Sequence, residues 1–330
     1  MSQVASLRMT VLVTIALFCG AVHADSAATS AATLLLQMNK AFANQDYDGT
    51  FTYFSGDEIT SLRVVHKVVD GEQQERLVHL NGAPREILRH GDRVKCIVEP
   101  GDDIAVLEQS VPAGPFARAF VRDFDRLSGH YSVEQMGEGR IANRPAVRIA
   151  ITPKDELRYG YRVWLDADTS LLLKSEMIDN QGERLEIFQF SELRVGSEVP
   201  TSALQSDEHS GSMISHLTLR SETEAVSEPV ELDWRVSWMP PGFMMAANDI
   251  RTRPTNETVG SAMYTDGLVS FTVFVEAMPE GGAASMVSQM GPTVAITRGL
   301  MASEQNFLVT LVGEIPIATG QRIIESVAAR

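Results

Sequence analysis

The sequence predicts a mainly β protein of α+β type: a large, curved antiparallel sheet with helices on its concave side, followed by a smaller α+β domain. Three observations favour this fold. Apolar and polar residues alternate over many short runs, which is the period of half-buried strands. Turn dipeptides such as Asp70-Gly71 and Asn81-Gly82 separate these runs at intervals of about ten residues. The length, 330 residues, suits two domains.

Residues 1–24 are typical of a signal peptide. Arg8 is the only charge ahead of a short apolar run, Met9–Phe18. This run is shorter than the roughly 20 apolar residues that span a bilayer. Val22-His23-Ala24 suits a cleavage site, so the mature chain is expected to begin at Asp25.

The two cysteines favour a fold without an internal disulfide. Cys19 lies in the apolar run and raises a lipoprotein signal as an alternative, but Phe18 stands where such a signal needs a small residue. Only Cys96 then remains in the mature chain. It belongs to the alternating run Arg93–Val98, where cysteine behaves as a small apolar residue, so a buried thiol is expected.

The first domain, expected over residues 25–200, begins with a helix and continues as a meander. Ser30 can cap the helix, whose apolar residues recur at the helical period. After Gly49 the period changes to two. Strands are expected at Thr50–Phe54, Leu62–Val69, Gln74–Leu80, Arg85–His90 and Arg93–Val98.

A second helix interrupts the strand pattern. Its apolar stripe consists of Phe116, Phe120, Phe124 and Leu127. The opposite face carries Arg118, Arg122 and Arg126, for which a solvated face is expected. A large sheet must close into a barrel or be plugged by helices, because its edges and inner face cannot stay bare. Strands resume at Tyr131–Met136, Ala146–Ile151, Tyr159–Leu165, Leu171–Ile178 and Leu185–Leu193.

Serine, threonine and glutamate dominate the stretch from Val195 to Ser227. This composition places an inter-domain linker at residues 201–224. Within it, Ile214–Leu219 could form a strand. The second domain is expected over residues 225–330. Its predicted elements are strands at Trp234–Trp238, Leu268–Val275 and Phe307–Val312 and a final helix through Ile323, Ile324 and Val327.

Charge and motifs exclude several classes of function. The formal net charge of −15 argues against nucleic acid as the main partner. The sequence contains no G-x-S-x-G, H-E-x-x-H or paired-cysteine motif, and its histidines lack metal-ligand spacing. His66 lies among apolar neighbours and is expected to be a core histidine. A non-enzymatic binding protein without a metal or cofactor is therefore predicted, and a hydrolase is the least favoured class.

One basic cluster is a candidate binding site. Arg85, Arg89, His90, Arg93 and Lys95 fall on adjacent predicted strands. Such a patch could meet an anionic headgroup. Ordinary strand-surface charges are the alternative interpretation.

Eight short strings, taken together and in order, resemble the RseB/MucB family of periplasmic regulators of Gram-negative bacteria. They are Arg63-Val-Val-His66, Glu75-Arg-Leu77, Leu80-Asn-Gly82-Ala-Pro-Arg-Glu86, Tyr161-Arg-Val-Trp-Leu-Asp166, Leu173-Lys-Ser-Glu176, Trp238-Met-Pro-Pro-Gly-Phe243, Tyr264-Thr-Asp-Gly-Leu268 and Val312-Gly-Glu-Ile-Pro316. The resemblance covers essentially the whole mature chain and is weakest at Ser197–Ser227 and Glu280–Gly291.

The resemblance implies a first domain like the unclosed β-barrel of the lipoprotein carriers LolA and LolB. It implies a periplasmic protein that binds the periplasmic segment of an anti-sigma factor of the RseA/MucA type. Binding protects that segment from proteolysis and so restrains an envelope-stress sigma factor of the sigma-E/AlgU type. Lipopolysaccharide or mislocalised lipid is expected to release the regulator.

Two sets of site residues follow. Lipid acyl chains are expected beside Phe116, Phe120 and Phe124, with a headgroup near Arg85, Arg89 and Arg93. Partner contact is expected at Trp238, Pro240 and Phe243, because rigid aromatics beside a Pro-Pro-Gly turn suit an extended segment. Filling of the small core is the alternative for these aromatics. A lipid or lipoprotein carrier is the alternative function, and a homo-oligomer is compatible with the sequence.

Overall fold

The computed structural model describes residues 30–99, 124–206, 213–218, 232–252, 258–278, 285–302 and 305–330. The first domain has helices α1 (Ala31–Asn44) and α2 (Phe124–His130). Its strands are β1 (Tyr47–Ser55), β2 (Glu58–Val69), β3 (Glu72–His79), β4 (Arg85–His90), β5 (Arg93–Val98), β6 (Tyr131–Ile141), β7 (Arg144–Pro153), β8 (Gly160–Asp166), β9 (Leu172–Ile178), β10 (Arg184–Val195) and β11 (Met213–Thr218).

These eleven strands form one antiparallel sheet in the order β11-β5-β4-β3-β2-β1-β10-β9-β8-β7-β6. Its end strands, β11 and β6, do not pair with each other among the described residues, so the sheet is an unclosed barrel. The local turn chemistry explains the meander: Asp70 and Gly71 have φ values of 55° and 84°, which a two-residue hairpin turn between β2 and β3 requires. The predicted fold class is confirmed.

Helix α1 fills part of the concave face. The Ser30 hydroxyl accepts a hydrogen bond from the Thr33 amide at 3.2 Å and caps the helix. Leu35, Met38 and Phe42 are buried beneath it. Burial stabilises the fold by about 1.5–3 kcal/mol for each such side chain. Among the described residues, no helix has both the length and the apolar character needed to cross a membrane.

The second predicted helix is described only at its end. Phe116 and Phe120 lie outside the described residues, and the backbone of Phe124 begins α2. Leu127, the last member of the apolar stripe, is completely buried. The lipid-contacting role of the three phenylalanines therefore remains a prediction.

Part of the predicted linker belongs to the first sheet. Strand β11 pairs with β5, with Ile214 opposite Ile97, because its alternating side chains complete an otherwise open sheet edge. Before it, a short 3₁₀ helix at Thr201–Leu204 places Ala203 against Val65 in a small apolar cluster.

The second domain is a six-stranded antiparallel sheet covered on one face. The sheet order is β13-β14-β15-β18-β17-β16. Helix α3 and the two-stranded sheet β12-β19 complete the domain. An added Cβ on Gly320 of α3 would lie 2.8 Å from Ile296 of the sheet, so glycine at this position permits the close packing of α3 on the sheet. The elements are β12 (Trp234–Val236), β13 (Met244–Thr252), β14 (Thr258–Thr265), β15 (Ser270–Ala277), β16 (Met286–Met290), β17 (Thr293–Ala302), β18 (Gln305–Gly313), α3 (Ile317–Glu325) and β19 (Val327–Ala329).

Candidate functional site

The predicted basic cluster is divided between the two faces of the sheet. Arg89 lies opposite Val94, and His90 lies opposite Arg93. Directly paired residues project to the same face, and successive residues along a strand project to opposite faces. Arg89 therefore faces inward with Arg85, whereas Arg93 faces outward with His90. The register thus separates Arg85 and Arg89 from Arg93, and their grouping at one headgroup remains a prediction.

The inward-facing members join a buried polar row. Tyr47, His66, Glu75 and Arg89 are successive register partners across β1, β2, β3 and β4. His66 is fully buried, stacks on Tyr47 with ring centroids 4.9 Å apart, and bonds through Nδ1 to the Gln45 carbonyl at 2.8 Å. Burial lowers the pKa of His66, so the imidazole is neutral near pH 7. His66 is the core histidine that the sequence predicts.

The outward-facing members line a shallow pocket of about 400 Å³. Strand β11 contributes to it, because His216 pairs in register with Lys95. Arg93 and Lys95 place two cationic side chains on this face, which favours an anion. The pocket is lined by Gln74, Glu75, Leu88, Arg89, His90, Arg93, Val94, Lys95, Leu204 and His216. His90 also lies 2.8 Å from a Glu72 carboxylate oxygen, which offsets part of the positive charge.

A second polar centre joins the two domains. Arg158 is completely buried in the first domain, and its Nη1 donates to Asp266 Oδ2 of the second domain at 2.6 Å. Its Nη2 donates to the Pro241 carbonyl at 2.7 Å and to Asp155 at 3.1 Å. Tyr131 donates its hydroxyl proton to the same Asp266 oxygen at 2.9 Å. Every charged group of this centre is thus paired, as burial requires.

Aromatic rings enclose the Arg158 guanidinium. Its central carbon lies 5.6 Å from the ring centroid of Tyr131 and 5.4 Å from that of Phe243. Burial, together with the Asp266 carboxylate, raises the pKa of Tyr131 above its ordinary range, so its hydroxyl remains a donor. Gly242 lies directly against the His130 ring and has a φ of 90°. The Pro-Pro-Gly turn therefore docks the second domain onto the first.

The packing around this turn limits how much of the predicted partner-binding residues is accessible. Phe243 is buried with its ring 5.3 Å from that of Phe271, and Pro240 is also buried. Trp238 is half-buried beneath the Arg322 guanidinium, at 3.8 Å from its ring centroid. Core and junction packing accounts for Phe243 and Pro240, and only Trp238 keeps an accessible surface. Partner contact through these residues remains a prediction.

A further contact lies beside the Arg158 centre. The β16–β17 turn at Gly291 packs against Gly56 of the β1–β2 turn, so an added Cβ on Gly56 would lie 3.0 Å from the Gly291 nitrogen. Nearby, the Tyr53 hydroxyl donates to Glu186 Oε2 at 2.6 Å. Burial, and after it the charge of Glu186, raises the pKa of Glu314, in the segment after β18, to about 7.

Sequence analysis missed Arg158 and Asp266 as functional positions. They are 108 residues apart, and Asp266 belongs to an Asp-Gly turn whose local role is evident: its Oδ1 accepts from the Leu268 and Val269 amides at 3.0 Å. No local pattern indicates that its other oxygen serves a second domain. Over the described part of the chain, no three His, Cys, Asp or Glu side chains are grouped so that they could hold a metal ion.

Comparison with known proteins identifies the family. The MucB/RseB N-terminal domain matches residues 30–208, and the MucB/RseB C-terminal domain matches residues 228–328. The chain is 34% identical over 310 residues to the sigma factor AlgU regulatory protein MucB of Pseudomonas aeruginosa, covering 91% of each protein. The chain belongs to the MucB/RseB family.

Other members of the MucB/RseB family are similar to this chain in sequence and structure over the same span. The sigma-E factor regulatory protein RseB of Escherichia coli K12 is 28% identical over 305 residues, which is 92% of each chain. Among solved structures, MucB in complex with MucA(peri) superposes with a TM-score of 0.74 at 31% identity and covers 91% of this chain and 99% of that one. A structure of MucB has a TM-score of 0.63 at 29% identity and covers 91% and 98%.

Proposed function

We propose that this member of the MucB/RseB family is an exported, periplasmic binding protein that holds the periplasmic segment of a membrane anti-sigma factor. Its occupancy shields that segment from regulated proteolysis and so restrains an envelope-stress sigma factor. The observation that carries this proposal is the similarity, over both domains, to MucB in complex with MucA(peri). We further propose that the signal peptide is cleaved after Ala24.

The architecture suits a binding role without chemistry. In the second domain, β13 is an end strand of the sheet formed by the described residues, and the side chains of Met244 and Met245 at its start are exposed. Flexible methionines adapt to varied partner surfaces. A carrier of lipids or lipoproteins, the alternative function, does not explain a second domain anchored by a buried ion pair.

Protection of the partner should follow occupancy. We expect cleavage of the anti-sigma periplasmic segment to fall as the protein is added and protection to saturate near equimolar protein. A truncated chain that ends at Arg220 keeps β11 but loses the second domain, and we expect it to lose protection. Circular dichroism would show whether the truncated chain retains its sheet. Full protection by a folded truncated chain would contradict the role of the second domain.

The lipid ligand is proposed to meet the outward-facing basic pocket with its anionic headgroup. Arg93 is exposed there, and His216 joins it from β11, whereas Arg89 is already buried beside Glu75 on the inner face. Acyl chains are proposed to enter between the sheet and the segment that bears Phe116, Phe120 and Phe124. Each buried CH₂ would contribute about 0.8 kcal/mol.

Paired substitutions test this assignment. We expect Arg93→Ala to weaken binding to vesicles that contain anionic phospholipid severalfold, because one of the pocket cations is lost. Arg85→Ala is the matched control, since Arg85 is half-buried on the opposite face of the same hairpin. Equal losses in both variants would place the headgroup elsewhere. A periplasmic pull-down separates the regulator from the carrier: an anti-sigma factor or a set of lipoproteins should dominate.

A further inference from the structure

The last strand of the first domain, β11, lies at one end of the eleven-stranded sheet and pairs with β5. It is six residues long, and the side chains of Ile214 and His216 on its outer face are exposed. The inward-facing residues of β5, by contrast, are buried: Val94, Cys96 and Val98. The attachment of β11 therefore relies largely on backbone hydrogen bonds, which any extended segment can form in its place.

The chain that leads into β11 is fastened by buried side chains. The Lys67 ammonium donates to the Val199 carbonyl at 2.8 Å. Arg76 Nη1 donates to the Ala203 carbonyl at 3.3 Å. Both cations are buried, and Val199 and Ala203 belong to one small apolar cluster with Val65. Strand β11 can therefore leave β5 by local unfolding, while the segment before it stays on the sheet.

On the outer face, two cations of β5 stand opposite β11 residues that carry no negative charge. Arg93 pairs in register with Thr218, and Lys95 pairs with His216. None of the six residues of β11 is acidic. Opposite charges directly across strands stabilise their pairing, and like charges destabilise it. Acidic residues at these two register positions would therefore pair better with β5 than β11 does.

On the inner face, the match between the two strands is also incomplete. Ser215, a small polar residue, is the register partner of the fully buried Cys96. Burial of apolar surface is favourable, so an apolar residue opposite Cys96 would add to the stability of the pairing. A strand that alternates acidic and apolar residues is therefore a better match for β5 than β11 is.

We propose that the edge of β5 is a strand-addition site for the partner, at which an extended segment of acidic and apolar residues displaces β11. The segment pairs antiparallel to β5. Its acidic residues lie opposite Arg93 and Lys95, and its apolar residues lie opposite Val94 and Cys96. This contact rests on the anti-sigma partner proposed above, and it adds to the contacts that the second domain supplies.

Displacement exchanges one backbone ladder for another of the same length, so side chains decide which strand occupies β5. Two opposite-charge pairs, at Arg93 and Lys95, favour the acidic segment by roughly 2- to 30-fold in the equilibrium constant. An apolar residue opposite Cys96 adds to this preference. Strand β11 belongs to the same chain and has a high effective concentration, so it occupies β5 until a matching segment arrives.

Synthetic peptides test the chemistry of the segment. A fluorescent peptide that contains the run Val-Ile-Val-Glu-Val-Glu places its glutamates opposite Lys95 and Arg93 in the register of β11. A matched peptide has lysine in place of both glutamates. We expect fluorescence anisotropy to show binding of the acidic peptide to the full mature chain and no binding of the lysine peptide. Equal binding of the two peptides would overturn the proposal.

A disulfide lock tests the place of binding. Ser215→Cys sets a second thiol opposite Cys96 in the chain that begins at Asp25, and directly paired strand residues lie within disulfide reach. Oxidation then fixes β11 on β5, a free-thiol assay verifies the link, and reduction frees the strand. We expect the oxidised variant to lose binding of the acidic peptide and the reduced variant to regain it. Undiminished binding by the oxidised variant would place the segment elsewhere and refute the strand-addition site.

A second variant strengthens β11 without a covalent link. His216→Glu combined with Thr218→Glu gives β11 the two acidic residues, so it should weaken binding of the acidic peptide by roughly 2- to 30-fold. Gln181→Glu combined with Gln189→Glu adds the same charge at exposed positions elsewhere in the first domain and should leave binding unchanged. Equal effects of the two double variants would reveal a general effect of charge and contradict the proposal.

The same variants separate this contact from the proposed function. Suppose that the wild-type chain fails to protect the anti-sigma periplasmic segment, while the acidic peptide binds only the unlocked chain. The anti-sigma role is then wrong, and the strand-addition site stands. If instead the wild-type chain protects the segment and the oxidised variant protects it equally well, the strand-addition site is wrong and the anti-sigma role stands.

Discussion

Replacing Arg158 by methionine would remove the cation at the domain junction while keeping most of the side-chain volume. The guanidinium is completely buried and donates to acceptors on both domains, namely Asp155, the Pro241 carbonyl and Asp266. After the substitution, the Asp266 carboxylate would remain in a site where only 2% of the residue is exposed. An isolated charge in such a site is strongly destabilising.

The cost can be bounded from the remaining contacts. Removal of one partner from a buried ion pair typically costs about 3–5 kcal/mol. Tyr131 and two backbone amides would still donate to Asp266, which favours the lower part of that range. The total free energy of unfolding of a domain is only about 5–15 kcal/mol. A single substitution at the junction should therefore lower the urea midpoint substantially.

Urea unfolding followed by circular dichroism measures this cost against a matched control. Arg162 lies on β8, which begins shortly after Arg158, and its side chain is 48% exposed. Its guanidinium approaches a Glu176 carboxylate oxygen only to 3.9 Å. Arg162→Met should cost less than about 1 kcal/mol, as exposed ion pairs do. Asp266→Asn added to Arg158→Met should recover part of the loss, because it removes the unpaired charge. An Arg158→Met cost below about 1 kcal/mol, or simple additivity with Asp266→Asn, would refute the reasoning.

Three other predictions follow from single positions. Gly242→Ala should destabilise the chain by more than Gly182→Ala. Both glycines have φ near 90°, but only at Gly242 would an added Cβ clash with a neighbouring side chain, the ring of His130. Equal urea midpoints for the two variants would contradict this prediction. Burial lowers the pKa of His66 in the folded chain, so this residue takes up a proton more readily in the unfolded chain and stability should fall as the pH drops below 6.5. His66→Gln should reduce this loss of stability between pH 7 and pH 5. An unchanged loss would contradict the prediction. Intact-mass measurement of the exported protein should give a chain that begins at Asp25, whereas a retained or lipidated Cys19 would exclude that cleavage site.

Local sequence patterns predict much of the fold because their causes are local. The Asp70-Gly71 dipeptide fixes a hairpin through its own positive φ values, and Ser30 caps α1 through a bond to an amide three residues away. Alternation predicts strands such as Arg93–Val98 without reference to their neighbours. The buried states of Cys96 and His66 follow from the same alternation.

Pairing register limits what the same patterns say about sites. Arg89 and Arg93 stand on either side of a turn, and only the pairing of His90 with Arg93 shows that they face opposite sides of the sheet. Strand β11 lies within a stretch rich in serine, threonine and glutamate, and its pairing with β5 decides that it belongs to the first sheet.

The sequence by itself determined the strand-rich fold, the helix α1 and the resemblance to the MucB/RseB family. Only the tertiary structure decided the junction. Arg158 and Asp266, which are 108 residues apart in sequence, form an ion pair there. Each of these charges looks like an ordinary surface residue within its own segment. Their effect on stability comes from burial, which neither segment can produce until the two domains dock.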